Sequence, residues 1–133
     1  MKKILLAYDG GEPSRRALEQ TIELARGCNA AVGVISVVPA RRASHAVDPW
    51  DDRTRHAEVL LEARRLLREV GIEAELLEPG GEPAKVIERV AEERGYDTIV
   101  IGSRGLGTLT RALQGSVSEH VATHASATVV IAR

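Results

Sequence analysis

The chain has 133 residues, 44% of them hydrophobic, with 18 Lys and Arg against 19 Asp and Glu and a formal net charge of -1 at pH 7. That length supports one domain whose core needs neither disulfide nor metal, and the balanced charge excludes an overall basic field for nucleic acid or an acidic membrane. With one Trp, two Tyr and no Phe there is no base-stacking platform for single strands, and the single Cys28, read as a small partly buried residue, excludes an internal disulfide and suits a reducing cytoplasm.

Met1-Lys2-Lys3 runs straight into a strand over residues 3–8, with no extended apolar region or small-residue cleavage site, so no export signal is expected. No stretch approaches the ~20 apolar residues of a membrane-spanning helix. The first strand ends at Asp9-Gly10-Gly11, which places a carboxylate at a strand's carboxyl end. Pro13 suits a first helical turn, and Ala17, Leu18, Thr21, Ile22, Leu24 and Ala25 give one apolar face before Gly27. Ala30 to Val38 is a nearly continuous apolar run, hence a strand buried on both faces, closed by Pro39.

Ala40 to Asp52 has no clean period and reads as a mobile loop, either a lid or a solvated connection carrying Trp50. From about Asp52 to Val70, Ala57, Leu60, Leu61, Ala63, Leu67 and Val70 trace a helical stripe among Arg and Glu, with Gly71 as its stop. Ile72 to Glu78 alternates, with Ile72, Ala74 and Leu76 against Glu73, Glu75 and Leu77, and predicts an edge strand open to water on one side. Pro79-Gly80-Gly81-Glu82-Pro83 turns the chain into a helix whose stripe is Val86, Ile87, Val90 and Ala91, stopped at Gly95. Asp97 to Ile101 is a fourth strand, and Ala127 to Ala132 a fifth, with only Arg133 beyond.

Between those last two strands lies the segment most suggestive of a ligand, Gly102-Ser103-Arg104-Gly105-Leu106-Gly107, leading to Gly115-Ser116-Val117-Ser118-Glu119. Ser116 and Glu119 stand at capping-box spacing, which predicts Ser116 as the N-cap of a helix through about Thr123. Strand, glycine loop and helix start together suit a phosphate, since glycine allows close approach and the first helical amides favour an anion. A glycine loop joining strand to helix, and a Ser that merely caps its helix, read equally well from these residues alone.

Five strands alternating with four helices predict a single-domain α/β fold, an open parallel five-stranded sheet in the order 3-2-1-4-5 with helices on both faces. The order reverses between strands one and four, where open sheets bind ligands, and there Asp9 would face Gly102.

The spacing Gly102-x2-Gly105-x9-Gly115-Ser116 resembles the nucleotide-binding signature of the universal stress protein family, in its ATP-binding branch. The resemblance covers essentially the whole chain, so residues 1–133 would form one universal stress protein domain of the adenine nucleotide alpha hydrolase-like kind. It implies that Gly102, Gly105, Gly115, Ser116 and Ser118 serve phosphates, with Val117 in the same segment, and that Asp9 meets ribose or a magnesium ion. It further implies that the backbone of Val37 reads adenine. Ala7 takes a place where some nucleotide-binding relatives have Pro, and Arg104, between two loop glycines, is a phosphate contact by position. The implied cofactor is ATP, with Mg2+ as its candidate companion on Asp9. The implied assembly is a homodimer through the last strand.

Other chemistries find no support. His120 and His124 are i, i+4 on the last helix but lack a third ligand in the sequence and read as surface histidines. There is no Gly-x4-Gly-Lys-[Ser/Thr] loop and no nucleophile elbow. Asp9 followed by two glycines, with Lys85 the last lysine, does not make a phospho-accepting receiver. Three functions follow: a cytoplasmic stress-response regulator whose adenine nucleotide (ATP, ADP or AMP) biases a surface for an unknown protein partner; a slow ATPase, for which no water-orienting base is evident; and a dimeric scaffold with a vestigial site. No partner of nucleic acid or membrane is expected.

Overall fold

Each of the first strand's residues alternates between two helical layers, and that alternation sets the architecture. In a computed structural model, which describes residues 1–39, 49–103 and 111–133, β1 (Lys3–Ala7) lies at the centre of a parallel sheet. Ile4 and Leu6 face one side, joined by Tyr8 just beyond the strand. They pack with Ala17, Leu18 and Ala25 of α1 (Glu12–Cys28) and Leu60, Ala63 and Leu67 of α2 (Pro49–Glu69). Leu5 faces the other side, against Ala84, Ile87, Val90 and Ala91 of α3 (Pro83–Arg94) and Val121 of α4 (Arg111–His124).

The remaining strands are β2 (Ala31–Ile35), β3 (Val38–Pro39), β4 (Ala74–Leu77), β5 (Gly80–Gly81), β6 (Thr98–Gly102) and β7 (Thr128–Ala132). The main sheet runs β4-β2-β1-β6-β7, all parallel, which is 3-2-1-4-5 when its five strands are counted alone. Leu5 opposes Gly33 on one side and Ile99 on the other. The alternating third strand is at one edge and the last strand at the other, as the pattern predicts.

Beyond the carboxyl ends of β2 and β4, the residues read as a strand end and a turn form a second small ladder, β3 with β5. Val38 and Pro39 pair with Gly80 and Gly81, and Val38 N donates to Pro79 O at 2.9 Å. Proline tolerates such a short terminal pairing because its neighbour supplies the donor.

The strands are somewhat shorter than the sequence reading has them, and three helices differ from it in their bounds. Helix α1 continues through Cys28 and is closed by Asn29 in the left-handed region (φ 52°), and Cys28 is exposed rather than partly buried. Helix α2 begins at Pro49 instead of near Asp52, proline being at home in a first turn. Helix α4 begins at Arg111, so Ser116 lies inside it and is not its N-cap. Arg111, Ala112, Leu113 and Gln114 are all good helix formers, and they extend the helix backward past Gly115 despite the roughly 0.5–1 kcal/mol that an interior glycine costs.

Tyr96 crosses under β2 to reach Glu75, its hydroxyl donating at 2.8 Å. Gly33 permits that path, because a Cβ there would stand 2.0 Å from the Tyr96 hydroxyl. Burial, and then the Glu75 carboxylate, push the Tyr96 phenol well above its ordinary range. At the sheet's amino end Asp97 accepts from the backbone N–H groups of Lys2 and Lys3 at 2.8 and 3.2 Å. Burial would raise its carboxyl, but these donors and the Thr98 hydroxyl outweigh it and hold it below the usual range. Among the described residues no helix is long and apolar enough to cross a membrane.

Candidate functional site

The carboxyl ends of the central strands open into a cleft of about 450 Å³, its open mouth included, at the point where the strand order reverses. Its walls are mostly apolar: Ala7 and Tyr8 at the end of β1, Ile35 and Val37 from the β2 end, Pro83 and Ile87 from α3, Ile101 from β6 and Val117 from α4. Its polar groups are few: Asp9, Ser14, Ser36 and His56. Such a slot suits a flat, largely apolar ring with a handful of directional contacts.

Asp9 is held from below. Its Oδ1 accepts the Gly11 N–H at 2.8 Å and a very short hydrogen bond from the Ser14 hydroxyl, while the Asp9 N–H donates to Ser14 Oγ at 3.0 Å. Gly10, at φ +84°, makes the turn that brings these groups together. Asp9 Oδ2 makes no hydrogen bond among the described residues. The carboxylate therefore organises the start of α1 through Oδ1 while the residue lines the cleft.

Val37 contributes main chain as well as side chain. Its neighbours Ser36 and Val38 donate outward to Leu77 O and Pro79 O at 3.0 and 2.9 Å. In extended backbone the intervening residue points the opposite way, and the Val37 N–H and C=O have no partner among the described residues. A donor and an acceptor side by side beside an apolar slot match the edge of a purine.

Of the residues singled out from sequence, Ala7, Asp9, Val37 and Val117 converge on this cleft. Gly102, at the end of β6, has a packing reason of its own: a Cβ there would come within 2.7 Å of the Pro13 backbone. The glycine lets the first turn of α1 sit on the strand end. Ser118 is buried and is not among the cleft-lining residues, Gly115 and Ser116 lie within α4, and Arg104 and Gly105 fall outside the described residues.

Sequence reasoning missed Ser14, Ser36 and His56. Ser36 is buried at the β2 end, and its hydroxyl lies 2.5 Å from His56 Nδ1 on α2. Ser14 could have been suspected from its place one residue past Pro13 in a first helical turn. Nothing in the amphipathic pattern of α2 separates His56 from its charged neighbours. Beside the cleft, Tyr8 reaches Glu62 at 3.4 Å, and burial followed by that carboxylate raises its phenol.

The family model for "Universal stress protein family" matches residues 1–133. Universal stress protein YxiE of Bacillus subtilis (strain 168) is 31% identical over 147 aligned positions, spanning 98% of each chain. Stress response protein NhaX of the same organism is 31% identical across 98% of this chain and 97% of its own. Among solved structures, the universal stress protein from Archaeoglobus fulgidus in complex with dAMP superposes with a TM-score of 0.78 at 28% identity, covering 100% of this chain and 98% of that one.

Proposed function

The chain belongs to the universal stress protein family, and from that premise we propose that it is an adenine-nucleotide-binding regulator whose ligand occupies the cleft between the ends of β1 and β6. The observation that carries this reading is the pairing of an apolar slot with the Val37 main chain and the Asp9 carboxylate in its lining, where among the described residues the Val37 N–H and C=O and Asp9 Oδ2 have no partner. Adenine lies between Val37, Ile35, Ile87 and Ile101, its edge meeting the Val37 N–H and C=O. The ribose lies toward Asp9, and the phosphates run toward Gly102 and the segment containing Arg104, Gly105, Gly115, Ser116 and Ser118. The Archaeoglobus protein's complex with dAMP supports an adenosine phosphate as the ligand class.

ATP is the ligand proposed, with Mg2+ on Asp9. One carboxylate with one uncommitted oxygen fits that ion, which commonly takes one or two carboxylates and completes its shell with phosphates and water. When bound, the ion would neutralise phosphate charge; the chain's own part is to hold the Asp9 carboxylate in place through Gly11 and Ser14. The role proposed is regulation of the stress response in the cytoplasm, with nucleotide occupancy biasing a surface for a protein partner. Hydrolysis, where it occurs, is slow.

Self-association through β7 belongs to the same proposal. This edge strand carries no charge from Thr128 to Ala132, its outer backbone groups have no strand beside them among the described residues, and Ile131 is 38% exposed. Pairing about a two-fold axis covers both edges at once.

Calorimetric titration with ATP, AMP and adenosine, each with and without Mg2+, tests the ligand reading. ATP is expected to bind more tightly than adenosine, and Asp9→Asn to remove the Mg2+-dependent share. Adenosine binding as tightly as ATP, or no binding by any of the three, overturns it.

A further inference from the structure

Outside the residues that line the cleft, three metal-ligating side chains meet where α3 packs on α4: Glu88 of α3 with His120 and His124 of α4. Their candidate donor atoms lie within 4.8 Å of one another. The sequence shows the histidine pair but not its third member, because Glu88 is 32 residues before His120 and reaches it only through the packing of α3 on α4.

The hydrogen bonds determine which ring nitrogens can take a metal. His124 Nδ1 lies 3.0 Å from the backbone carbonyl of His120. A carbonyl only accepts, so Nδ1 carries the proton and the neutral ring keeps its Nε2 lone pair. His120 Nδ1 lies 2.9 Å from Glu88 Oε1, and a carboxylate acceptor fixes that ring in the same tautomer. The two rings stack with centroids 4.1 Å apart and planes 22° from parallel, and with both Nδ1 atoms committed the Nε2 of each ring is the nitrogen left for a metal. A histidine whose second nitrogen donates to a carboxylate or carbonyl is the arrangement that orients metal-binding imidazoles.

The geometry points to a binding site for a divalent transition metal, Zn2+ in the first instance, formed by Glu88, His120 and His124. Two imidazoles and a carboxylate are a borderline donor set that zinc accepts, whereas Mg2+ and Ca2+ prefer oxygen alone. Zn–N bonds of about 2.0–2.1 Å place tetrahedral ligands roughly 3.4 Å apart. The three side chains are exposed or only partly buried, so rotations about their own bonds close the set to that spacing without moving either helix. Glu88 then turns from orienting His120 to sharing the ion, and water completes the shell. The loaded site ties α3 to α4, one residue from the cleft-lining Ile87 and three from Val117.

The test uses the full chain carrying Cys28→Ser, which removes the exposed thiol as a competing ligand. Zinc is titrated calorimetrically without nucleotide, and the histidine ring nitrogens are followed by long-range proton–nitrogen correlation spectra. One zinc per chain is expected, with the Nε2 resonances of His120 and His124 shifting and their Nδ1–H tautomers already present in the metal-free protein. His124→Ala is expected to abolish the shift at His120, and Glu88→Gln to weaken binding at least ~10-fold. Circular dichroism of both variants is expected to match the parent, since none of the three side chains belongs to the core. An absence of both heat and ring shifts under excess zinc overturns the proposal, as does binding that survives Glu88→Gln or His124→Ala unchanged.

Discussion

Replacing Gly102 by alanine tests how the site is assembled. The new Cβ would stand 2.7 Å from both the carbonyl carbon and oxygen of Pro13 and 2.9 Å from its Cβ. Two of these atoms are backbone in the first turn of α1, so no side-chain rotation relieves the contact; the helix start must shift. Overpacking of this kind costs about 1–3 kcal/mol, and rigid backbone places the expectation at about 2–3 kcal/mol. An unfolding entropy of about 2.1 cal/mol/K per residue converts that, for a chain of this length, into a fall in Tm of roughly 7–11 °C. Gly27→Ala is the internal contrast: it lies within α1, with nothing inside 4 Å of the added Cβ, and is expected to gain about 0.5–1 kcal/mol from helix propensity. Thermal melts followed by circular dichroism compare the two. Because the Asp9–Ser14 hydrogen bond is anchored in the same turn, Gly102→Ala is also expected to weaken nucleotide binding while Gly27→Ala leaves it intact. A Gly102→Ala protein that melts with the parent would show that strand end and helix do not approach as closely as described.

Tyr96→Phe removes the hydroxyl bond to Glu75 and is expected to cost about 1 kcal/mol at neutral pH. Because the folded protein raises the Tyr96 phenol, its contribution is complete below the ordinary tyrosine value of about 10 and is lost as pH rises above it. The parent is therefore expected to lose stability in alkali faster than Tyr96→Phe, so that the two denaturation curves converge; parallel loss contradicts the assignment. Ile131→Lys, at an exposed position of β7, is expected to turn a sedimenting dimer into a monomer without lowering helix content, and a parent already monomeric at micromolar concentration removes the edge-to-edge proposal.

The sheet order was legible because its signals are local and redundant. Residues 31–35 form an uninterrupted apolar strand, Leu76 and Glu75 alternate at an edge, and Pro13, Pro83 and Gly95 punctuate helices where proline and left-handed glycine are expected. The place of Asp9 in the cleft was legible for the same reason, a carboxylate at a central strand's end. The packing role of Gly102 was only half legible: its smallness is evident, but that the Pro13 backbone stands where a Cβ would be depends on how α1 lies on β6. Ser116 misled because a capping box is a local preference, and the helix formers from Arg111 onward carry the helix through it. His56 and Glu88 could not be placed at all, since each meets its partners through contacts between helix and sheet or helix and helix that no short spacing encodes.

The central claim, that adenine lies in the cleft against Val37, is tested most directly by nuclear Overhauser contacts between bound nucleotide and methyl-labelled isoleucine and valine. With AMP added, the adenine H2 and H8 protons are predicted to contact the methyl groups of Val37, Ile35, Ile87 and Ile101, the side chains that wall the slot. Contacts confined to residues elsewhere, or a bound nucleotide whose adenine protons reach none of these four, would contradict it.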